Sequence, residues 1–428
     1  MRRRPANPAK SLAAGLILAL AFASAQAKTV SVPAGGDHLK QAIAAAETGD
    51  VLRLQPGTYS GPIVIDRPLT LEGEGIAIVD GGGAGKVITV SAPNSAVRGL
   101  TVRGSGTSLF DMESGIFLDK AARGAVIEGN TLEENLIGVY VWGANGAVVR
   151  NNRISGRRDL RLAERGNGVQ VWNAPGAIVE GNDIKGVRDG IFTNTSRKNV
   201  FRDNRFRDLR FAVHYMYTND SEVSGNVSVG NHVGYAIMYS DRLVIRDNLS
   251  DGDRDHGFLF NFANDSKITE NAVVNGGEKC VFIYNANKNS FTDNWFEGCG
   301  IGIHFTAGSE RNALSGNAFV RNRTQVKYVG ARSLDWSAKR RGNYWSDNPA
   351  FDLDGDGIAD TAYRPNDLVD QIVWRYPAAK LLLNSPATQV VRWAQAQFPA
   401  LLPGGVIDSA PLMTPPEVPA LKNRENGR

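Results

Sequence analysis

The stretch Val213–Asp220, with the sequence VHYMYTND, combines side chains that could bind a metal ion. His214 and Met216 lie close together in it, although the whole chain holds only five His and five Met. Met238 follows Met216 after 22 residues, and His232 lies between them in the chain. Imidazole and thioether are ligands that suit Cu(I), whereas Zn(II) would prefer Cys, His and carboxylate. These four residues are therefore a candidate site for transient copper, as Cu(I), provided that they share one face of the fold.

A second candidate metal site is the acidic segment DLDGDGIAD. Its Asp352, Asp354, Asp356 and Asp360 occupy positions 1, 3, 5 and 9 of a loop like that of an EF-hand, with a glycine at position 6 for the sharp turn. Ile358 could offer its carbonyl oxygen at position 7, but position 12 holds Tyr where a bidentate Glu is expected. The segment predicts either a structural Ca²⁺ site or a plain acidic turn.

An internal repeat sets where these side chains lie. Motifs such as EGN, RDN, SGN and TDN recur, and each ends on one of nine residues: Asn130, Asn152, Asn182, Asn204, Asn226, Asn248, Asn271, Asn294 and Asn317. The steps between them are 22 or 23 residues, except for one step of 30 that contains GRRDLRLAERG as a loop insertion. Each unit carries short alternating apolar runs such as GVYVW and GFLFN, which indicate β-strands.

The period predicts an all-β fold, a right-handed, single-stranded parallel β-helix in which each coil takes about 22 residues. A β-propeller is disfavoured because its blades need about 40 residues each. The recurrent Asn would lie at a turn, where Asn tolerates a left-handed backbone and its amide can stack on the next coil. A helical cap is predicted before the coils, with Leu39 and Ile43 on its apolar face and Asp37 as N-cap. An irregular extension follows the coils and contains a helix from about Pro386 to Phe398.

Four regions follow from these patterns. Residues 1–27 read as a cleaved signal peptide, 28–98 as the N-terminal cap and first coils, 99–335 as the repeats, and 336–428 as the C-terminal cap, acidic loop and docking tail. The leader joins three Arg to an apolar run and an Ala-Gln-Ala cleavage site, which is typical of export. Without its four basic residues the chain has 44 basic and 44 acidic residues, so its charge does not favour nucleic acid. Cys280 and Cys299 are compatible with one disulfide or two thiols.

Strand parity decides which side chains face outward. In the longer strand of each coil, aligned on a leading Gly, positions +1 and +3 are nearly all Val, Ile, Phe or Tyr and should fill the interior, so +2 and +4 should face solvent. Met216 and Met238 then lie side by side in adjacent coils, with His214 on the same face beside Ala236. Aromatic residues on this face predict a docking surface for a protein partner, or else for sugars: Tyr140, Trp142, Trp172, Phe192 and Tyr284.

The segment Phe211–Asn248, FAVHYMYTNDSEVSGNVSVGNHVGYAIMYSDRLVIRDN, is similar to the NosD family, and GNYWSD, DLDGDGIAD and LLLNSPATQVVRWAQAQFPALLPGG resemble it as well. The resemblance implies a periplasmic β-helical protein of denitrification that works with the permease and ATPase subunits of an ABC transporter. It also implies that copper is received from a lipoprotein chaperone and delivered for the assembly of nitrous oxide reductase. The family's Met/His-rich segment falls on His214, Met216 and Met238.

The C-terminal end is predicted to dock onto the transporter. FPALLPGGVIDSAPLM is apolar and has no evident partner in the solenoid, and the proposed contact residues are Trp393, Phe398, Leu401 and Leu402. Two other functions stay open, a metal-free structural adaptor and a polysaccharide-active lyase or epimerase. For the enzyme, DGDRDHG (251–257) offers acidic groups and a His, but all in one turn. We therefore predict no catalytic residues.

Overall fold

The chain forms a solenoid of parallel β-strands. A computed structural model describes residues 27–422 except 307, 331, 384 and 399–403. The predicted signal peptide, apart from Ala27, and Leu401 and Leu402 of the predicted docking tail therefore lie outside the described residues. The described part confirms the predicted all-β parallel β-helix.

The longer strands of successive coils pair in register into a sheet of 12 described strands, which we call the outer sheet. These strands are Ile63–Ile65, Ile88–Val90, Ser114–Leu118, Ile137–Trp142, Val169–Trp172, Asp189–Asn194, Phe211–Met216, Val233–Met238, His256–Asn261, Lys279–Tyr284, Ile301–Thr306 and Thr324–Val329.

The other strands form a second sheet of 24 described strands in two series that flank the Asn turn. Two early strands, Thr70–Asp80 and Ala96–Arg103, run through this turn and pair with both series. After the first strand, Thr29–Val32, the series before the turn comprises Val51–Leu54, Thr70–Asp80, Ala96–Arg103, Val126–Glu128, Val148–Arg150, Ile178–Glu180, Val200–Arg202, Glu222–Ser224, Val244–Arg246, Lys267–Thr269, Ser290–Thr292 and Ala313–Ser315. The series after it comprises Gly57–Ser60, Thr131–Asn135, Arg153–Gly156, Asp183–Lys185, Arg205–Arg207, Val227–Val229, Leu249–Asp251, Ala272–Val274, Trp295–Glu297, Ala318–Val320 and Tyr344–Trp345.

Helices stand only at the two ends of the described solenoid. Helix α1 (His38–Ala45) buries Leu39 and Ile43 against the first coils, as predicted. Asp37 is its N-cap residue but makes no capping hydrogen bond through its side chain. After the last coil follow α2 (Leu368–Arg375), a 3₁₀ turn (Pro377–Leu382), α3 (Pro386–Gln397) and a second 3₁₀ turn (Pro419–Leu421).

A ladder of buried amides runs along the turn between the two series of short strands. Each of the nine repeat Asn residues donates from Nδ2 to Oδ1 of the Asn in the next coil, at 2.8–3.0 Å. The last acceptor is Asn343, one rung beyond the predicted end of the repeats. In Asn226, Nδ2 also donates to the carbonyl oxygen of Phe201 at 2.8 Å, and the side chain is fully buried. The left-handed backbone predicted for the ladder Asn falls instead on the residue before it, as in Gly225 (φ 64°).

The ladder ends on a carboxylate that the returning C-terminal chain supplies. Oδ2 of the fully buried Asp408 accepts from the backbone N–H of Asn343 at 2.6 Å and from Nε1 of Trp345 at 2.8 Å. Burial raises the pKa of Asp408, and these hydrogen bonds oppose that shift. Gly405–Ile407 also pairs with Ser333–Asp335 as two parallel strands. The prediction that the tail after Phe398 lacks a partner in the solenoid is therefore wrong for its described part.

The sequence beyond the ladder cap packs along the side of the coils. Val418 and Ala420 are buried against the outward side chains of Leu249, Ala272 and Val274. The tail thus crosses several coils and contributes to the fold. Cys280 and Cys299, which the sequence left open, form a disulfide with a Cα–Cα distance of 5.6 Å.

A second turn of the coil buries a carboxylic acid. Asp253, fully buried, accepts from the backbone N–H of Asn231 at 2.7 Å and from the hydroxyls of Ser228 and Ser250 at 2.7 and 2.6 Å. Burial raises the pKa of Asp253 to about 6, against the effect of these donors. Asp253 was the central acid of the turn considered for an enzyme, and the fold uses it to close the turn.

The ladder should be a main source of stability. Replacement Asn226→Ala leaves the buried backbone N–H of Asn204 and one of its two Nδ2 hydrogens without an acceptor, while the other still donates to Val179. Each buried orphan costs about 1–3 kcal/mol. We expect the free energy of unfolding in urea to fall by about 3 kcal/mol or more, whereas Asn145→Ala at an exposed turn should change it by less than about 0.5 kcal/mol. Equal midpoints for the two variants would contradict a stabilising ladder.

Asp253 should make stability depend on pH. Because its pKa is raised in the folded state, the stability it contributes is fully present below about pH 4 and is lost as the pH rises to about 6. Asp253→Asn cannot ionise, and Asn already occupies the equivalent turn position at Asn231. The variant should therefore gain up to about 3 kcal/mol over the wild type between pH 4 and pH 7 in urea unfolding. A difference that does not change with pH would show that the buried acid is not protonated in the fold.

Candidate metal site and partner surfaces

The outer sheet presents the two candidate Met residues to the same side. Met216 and Met238 end neighbouring strands and are paired in register. Both are partly exposed, while Tyr215 and Ile237, one position earlier, are fully buried in the core. The predicted strand parity is thus confirmed at this position, and the two thioethers lie on the outside of adjacent coils.

His214 lies on the same face and is held by an ion pair whose carboxylate is buried. Its Nδ1 is 3.1 Å from Oδ2 of Asp189 in the coil before it. Arg210 donates to the same carboxylate from Nε at 2.8 Å and from Nη2 at 2.6 Å. Phe192 and Phe211 flank the imidazole, with ring centroids 4.9 and 5.0 Å away. Burial alone would raise the pKa of Asp189, but the hydrogen bonds from His214 and Arg210 leave it below its ordinary value.

The second ring nitrogen of His214 is the chemically available one. Nε2 is buried and has no hydrogen-bond partner among the described residues. Ala236 is the register neighbour of His214 in the next coil, so the side chain directly beside it there is only a methyl group. With a carboxylate on Nδ1 and an orphaned Nε2, the residue has the arrangement that proteins give to metal-binding histidines. The donor set on this face, one imidazole nitrogen and two thioethers, fits Cu(I).

The structure does not bring His232 into this group. His232 precedes the strand Val233–Met238, and Met238 ends that strand. At about 3.3 Å per residue, His232 and Met238 lie about 20 Å apart. The Nδ1 atom of His232 is instead 3.4 Å from Oδ2 of Asp255. The candidate site therefore consists of His214, Met216 and Met238.

The predicted aromatic docking surface is divided. Tyr140 is buried, and Trp142 and Trp172 stack on each other at 5.7 Å. Both Trp side chains pack with Met112 and Leu160 against a small buried cluster that includes Tyr140. Leu160 belongs to the loop insertion, to which the sequence analysis assigned no role, and it packs against the cluster that contains Phe117 and Tyr140. Of the five predicted residues, Trp142, Trp172 and Phe192 are partly exposed and Tyr284 is exposed, whereas Tyr140 is buried and is no part of an exposed surface.

An exposed aromatic stack that the sequence analysis missed borders the two Met residues. Tyr217, Tyr239 and Phe262 directly follow the outward positions of three adjacent coils and are 53%, 39% and 40% exposed. Their centroids are 5.1 and 5.2 Å apart, with nearly parallel rings. All three have positive φ (49°, 48° and 52°), which is uncommon for bulky side chains. The repeated pairs Met-Tyr, Met-Tyr and Asn-Phe at the same place in the unit were the signal for this stack.

The acidic loop gathers its first three carboxylates. Oxygens of Asp352, Asp354 and Asp356 lie within 4.8 Å of one another. Hydrogen bonds from the backbone N–H groups of Gly357 and Gly355 lower the pKa of Asp352. The other two predicted ligands lie outside this group of three carboxylates but belong to the same loop. Asp360 accepts from the N–H of Leu353, and the N–H of Ile358 donates to Asp356.

The C-terminal helices expose a group of large apolar side chains. Helix α3 is tied to α2 by Arg392, whose Nε donates to Asp367 at 2.8 Å. On the other side, 57–91% of each of five side chains is exposed: Leu381, Leu382, Val390, Trp393 and Phe398. We call this group the C-terminal apolar patch. Among the described residues, no helix has the length and hydropathy needed to cross a bilayer.

Known structures with this fold set a first limit on the class of protein. A PL6 alginate lyase in complex with a trisaccharide matches with a TM-score of 0.57 at 13% identity, over 75% of this chain and 85% of that chain. The A-module of the mannuronan C-5 epimerase AlgE6 of Azotobacter vinelandii matches with a TM-score of 0.51 at 14% identity, over 72% of this chain and 92% of that chain. At this identity the likeness shows the fold alone, so the class is a parallel β-helix protein whose function rests on its surface.

Closer relatives define the family. The family described as "Periplasmic copper-binding protein (NosD)" matches residues 150–350, and one described as "Protein of unknown function (DUF1565)" matches 37–242. A "Probable ABC transporter binding protein NosD" of Pseudomonas aeruginosa is 42% identical over 85% of this chain and 88% of its own length. The protein of the same name from Stutzerimonas stutzeri is 40% identical over 87% and 89%. The chain belongs to the NosD family, and both of these relatives are named as binding proteins.

Proposed function

We propose that the chain is a periplasmic accessory protein that binds Cu(I) transiently and passes it on for assembly of the copper centres of nitrous oxide reductase. The observation that carries this proposal is the buried, unpartnered Nε2 of His214 on the same face as the paired Met216 and Met238. The description of the family as periplasmic and copper-binding supports it.

The ligand set suits an ion that must be released again. Thioethers are soft, neutral ligands, and a site of two Met and one His carries no compensating negative charge of its own, which favours a monovalent soft cation. The two Met side chains remain partly exposed, so a donor or acceptor protein can reach the ion directly. We propose that a copper lipoprotein chaperone and the reductase meet the chain at this face, beside the stack of Tyr217, Tyr239 and Phe262.

The contact with the transporter is proposed at the C-terminal apolar patch. The relatives from Pseudomonas aeruginosa and Stutzerimonas stutzeri are named as ABC transporter binding proteins. The C-terminal apolar patch offers large side chains that are more than half exposed, and such patches usually mark protein interfaces. We propose that it docks onto the permease, with the ATPase joined through that subunit.

A structural Ca²⁺ is proposed for the acidic loop. Asp352, Asp354 and Asp356 would supply carboxylate oxygens, and Asp360 and the carbonyl of Ile358 would complete the loop. The loop pairs with the returning chain, since Met413 donates from its backbone N–H to the carbonyl oxygen of Gly357, so an ion here would stiffen the C-terminal cap. Calorimetric titration of Ca²⁺ into the wild type and the Asp354→Asn, Asp356→Asn double variant tests this proposal, and equal heats would contradict it.

Copper binding is tested by anaerobic titration against a chromophoric Cu(I) chelator. The wild type should bind about one equivalent, and His214→Ala or the double variant Met216→Leu, Met238→Leu should weaken binding at least about tenfold, or 1.4 kcal/mol. Leu replaces Met at nearly constant volume, so the fold should be kept. The control is Met413→Leu, which removes a thioether far from the site. Unchanged binding in all variants would reject the metal site and leave a metal-free adaptor.

Docking is tested by co-purification with the permease and ATPase from membranes. The double variant Leu382→Ser, Trp393→Ser removes two exposed apolar anchors, and loss of such anchors costs about 2 kcal/mol or more, roughly a 30-fold weaker complex. Phe110→Ser, at a side chain 93% exposed in the loop before Ser114–Leu118, is the matched control. If the double variant retains the subunits as well as the control does, the patch is not the docking surface.

A further inference from the structure

Asp189 fixes which nitrogen of His214 carries the proton. Its side chain is fully buried and both of its oxygens accept hydrogen bonds from the permanently charged guanidinium of Arg210, so it is an ionised carboxylate that can only accept hydrogen bonds. Nδ1 of His214, 3.1 Å from Oδ2, must therefore be the donor. In a neutral imidazole the other nitrogen, Nε2, then holds the free electron pair.

Arg210 keeps this arrangement in place. It contacts both oxygens of Asp189, at 2.8 and 2.6 Å, so the carboxylate cannot rotate away from the ring. The same contact neutralises the buried charge of Asp189, which would be costly if it stood alone. The carboxylate is thus satisfied without a second positive charge on the imidazole. Phe192 and Phe211 restrict the ring from two sides.

The chain contains its own comparison at His304. This residue occupies the same outward position as His214, and its ring lies 4.9 Å from Phe282, as that of His214 lies 4.9 Å from Phe192. In place of the carboxylate, however, the previous coil offers Lys279, whose Nζ stands 5.1 Å from the ring of Phe282. Lys279 pairs with Glu278 at 2.8 Å and offers no acceptor to the imidazole, so Nδ1 of His304 has no hydrogen-bond partner among the described residues. The strands that carry the two histidines are equivalent, and the difference lies in the side chain that the preceding coil places beside the imidazole, Asp189 or Lys279.

We propose that Asp189, held by Arg210, is the positioning residue that sets the Nδ1–H tautomer of His214 and directs Nε2 toward the bound copper ion. This inference rests on the proposed function and adds two residues that the ligand set does not include. The ion pair behind the ring acts as the outer partner that commonly orients a metal-binding His, and loss of such a partner typically costs 10–100-fold in metal affinity.

The first measurement needs no metal. Long-range ¹H–¹⁵N correlation spectra of ¹⁵N-His protein report which ring nitrogen is protonated, and the spectrum of His214→Ala assigns the signals. The wild type should show Nδ1–H at His214. The double variant Asp189→Leu, Arg210→Met removes both partners of the buried pair, which preserves charge balance and is often tolerated. It should shift the ring toward Nε2–H and weaken Cu(I) binding 10–100-fold.

The control is Asp183→Leu, Arg207→Met, which removes another Asp–Arg pair between the same two coils, on the other sheet, where Nη2 of Arg207 lies 2.7 Å from Oδ1 of Asp183. It should leave the tautomer and the affinity unchanged. A wild-type ring protonated at Nε2 overturns the inference whether or not the variant folds. Wild-type affinity in the Asp189 and Arg210 variant overturns it while the copper site stands. If the wild type binds no Cu(I), the proposed function fails as well.

Discussion

The ladder of buried Asn amides is the constraint from which the rest of the molecule follows. Each rung satisfies two donors of one coil with a single oxygen of the next, as Oδ1 of Asn226 does for Asn204. A slip of one residue would leave these donors buried without partners and would turn every side chain of the strand to the other face. The ladder therefore fixes the register that places Met216 beside Met238.

The repeat and its parity could be predicted because both depend on local sequence. The spacing of the Asn residues predicted the coil length. The alternation around His214 predicted which side chains face the core and which face outward, because successive side chains of a strand point to opposite faces. The last rung, Asn343, was not predicted, because its backbone N–H donates to Asp408, 65 residues later in the chain, and not to an Asn of a next repeat. Nothing in the local pattern around GNYWSD reveals a partner that returns from so far.

Two features could not be predicted from the sequence: the packing of loops beside the outer sheet, and the contacts between outward side chains of different coils. Parity correctly placed Trp142 and Trp172 on the outside. It did not predict that Met112 and Leu160 pack against the same buried cluster, because the loops that carry them have no periodic pattern. The ion pair behind His214 was missed because Asp189 lies 25 residues earlier in the chain and Gly190 interrupts the alternation between them. Parity along a single strand does not predict contacts between side chains of different coils.

The comparison of His214 with His304 shows how a repeat fold creates one site among many equivalent positions. Burial and the neighbouring lysines lower the pKa of His304 to about 4, and its Nδ1 has no hydrogen-bond partner among the described residues. The difference is made one coil earlier, by Asp189 in one case and Lys279 in the other. Because each coil contacts mainly its neighbours, such a change alters an outward position without disturbing the core. The same property lets one β-helix scaffold carry different functions in different proteins, so each outward side chain has to be examined together with its neighbour in the preceding coil.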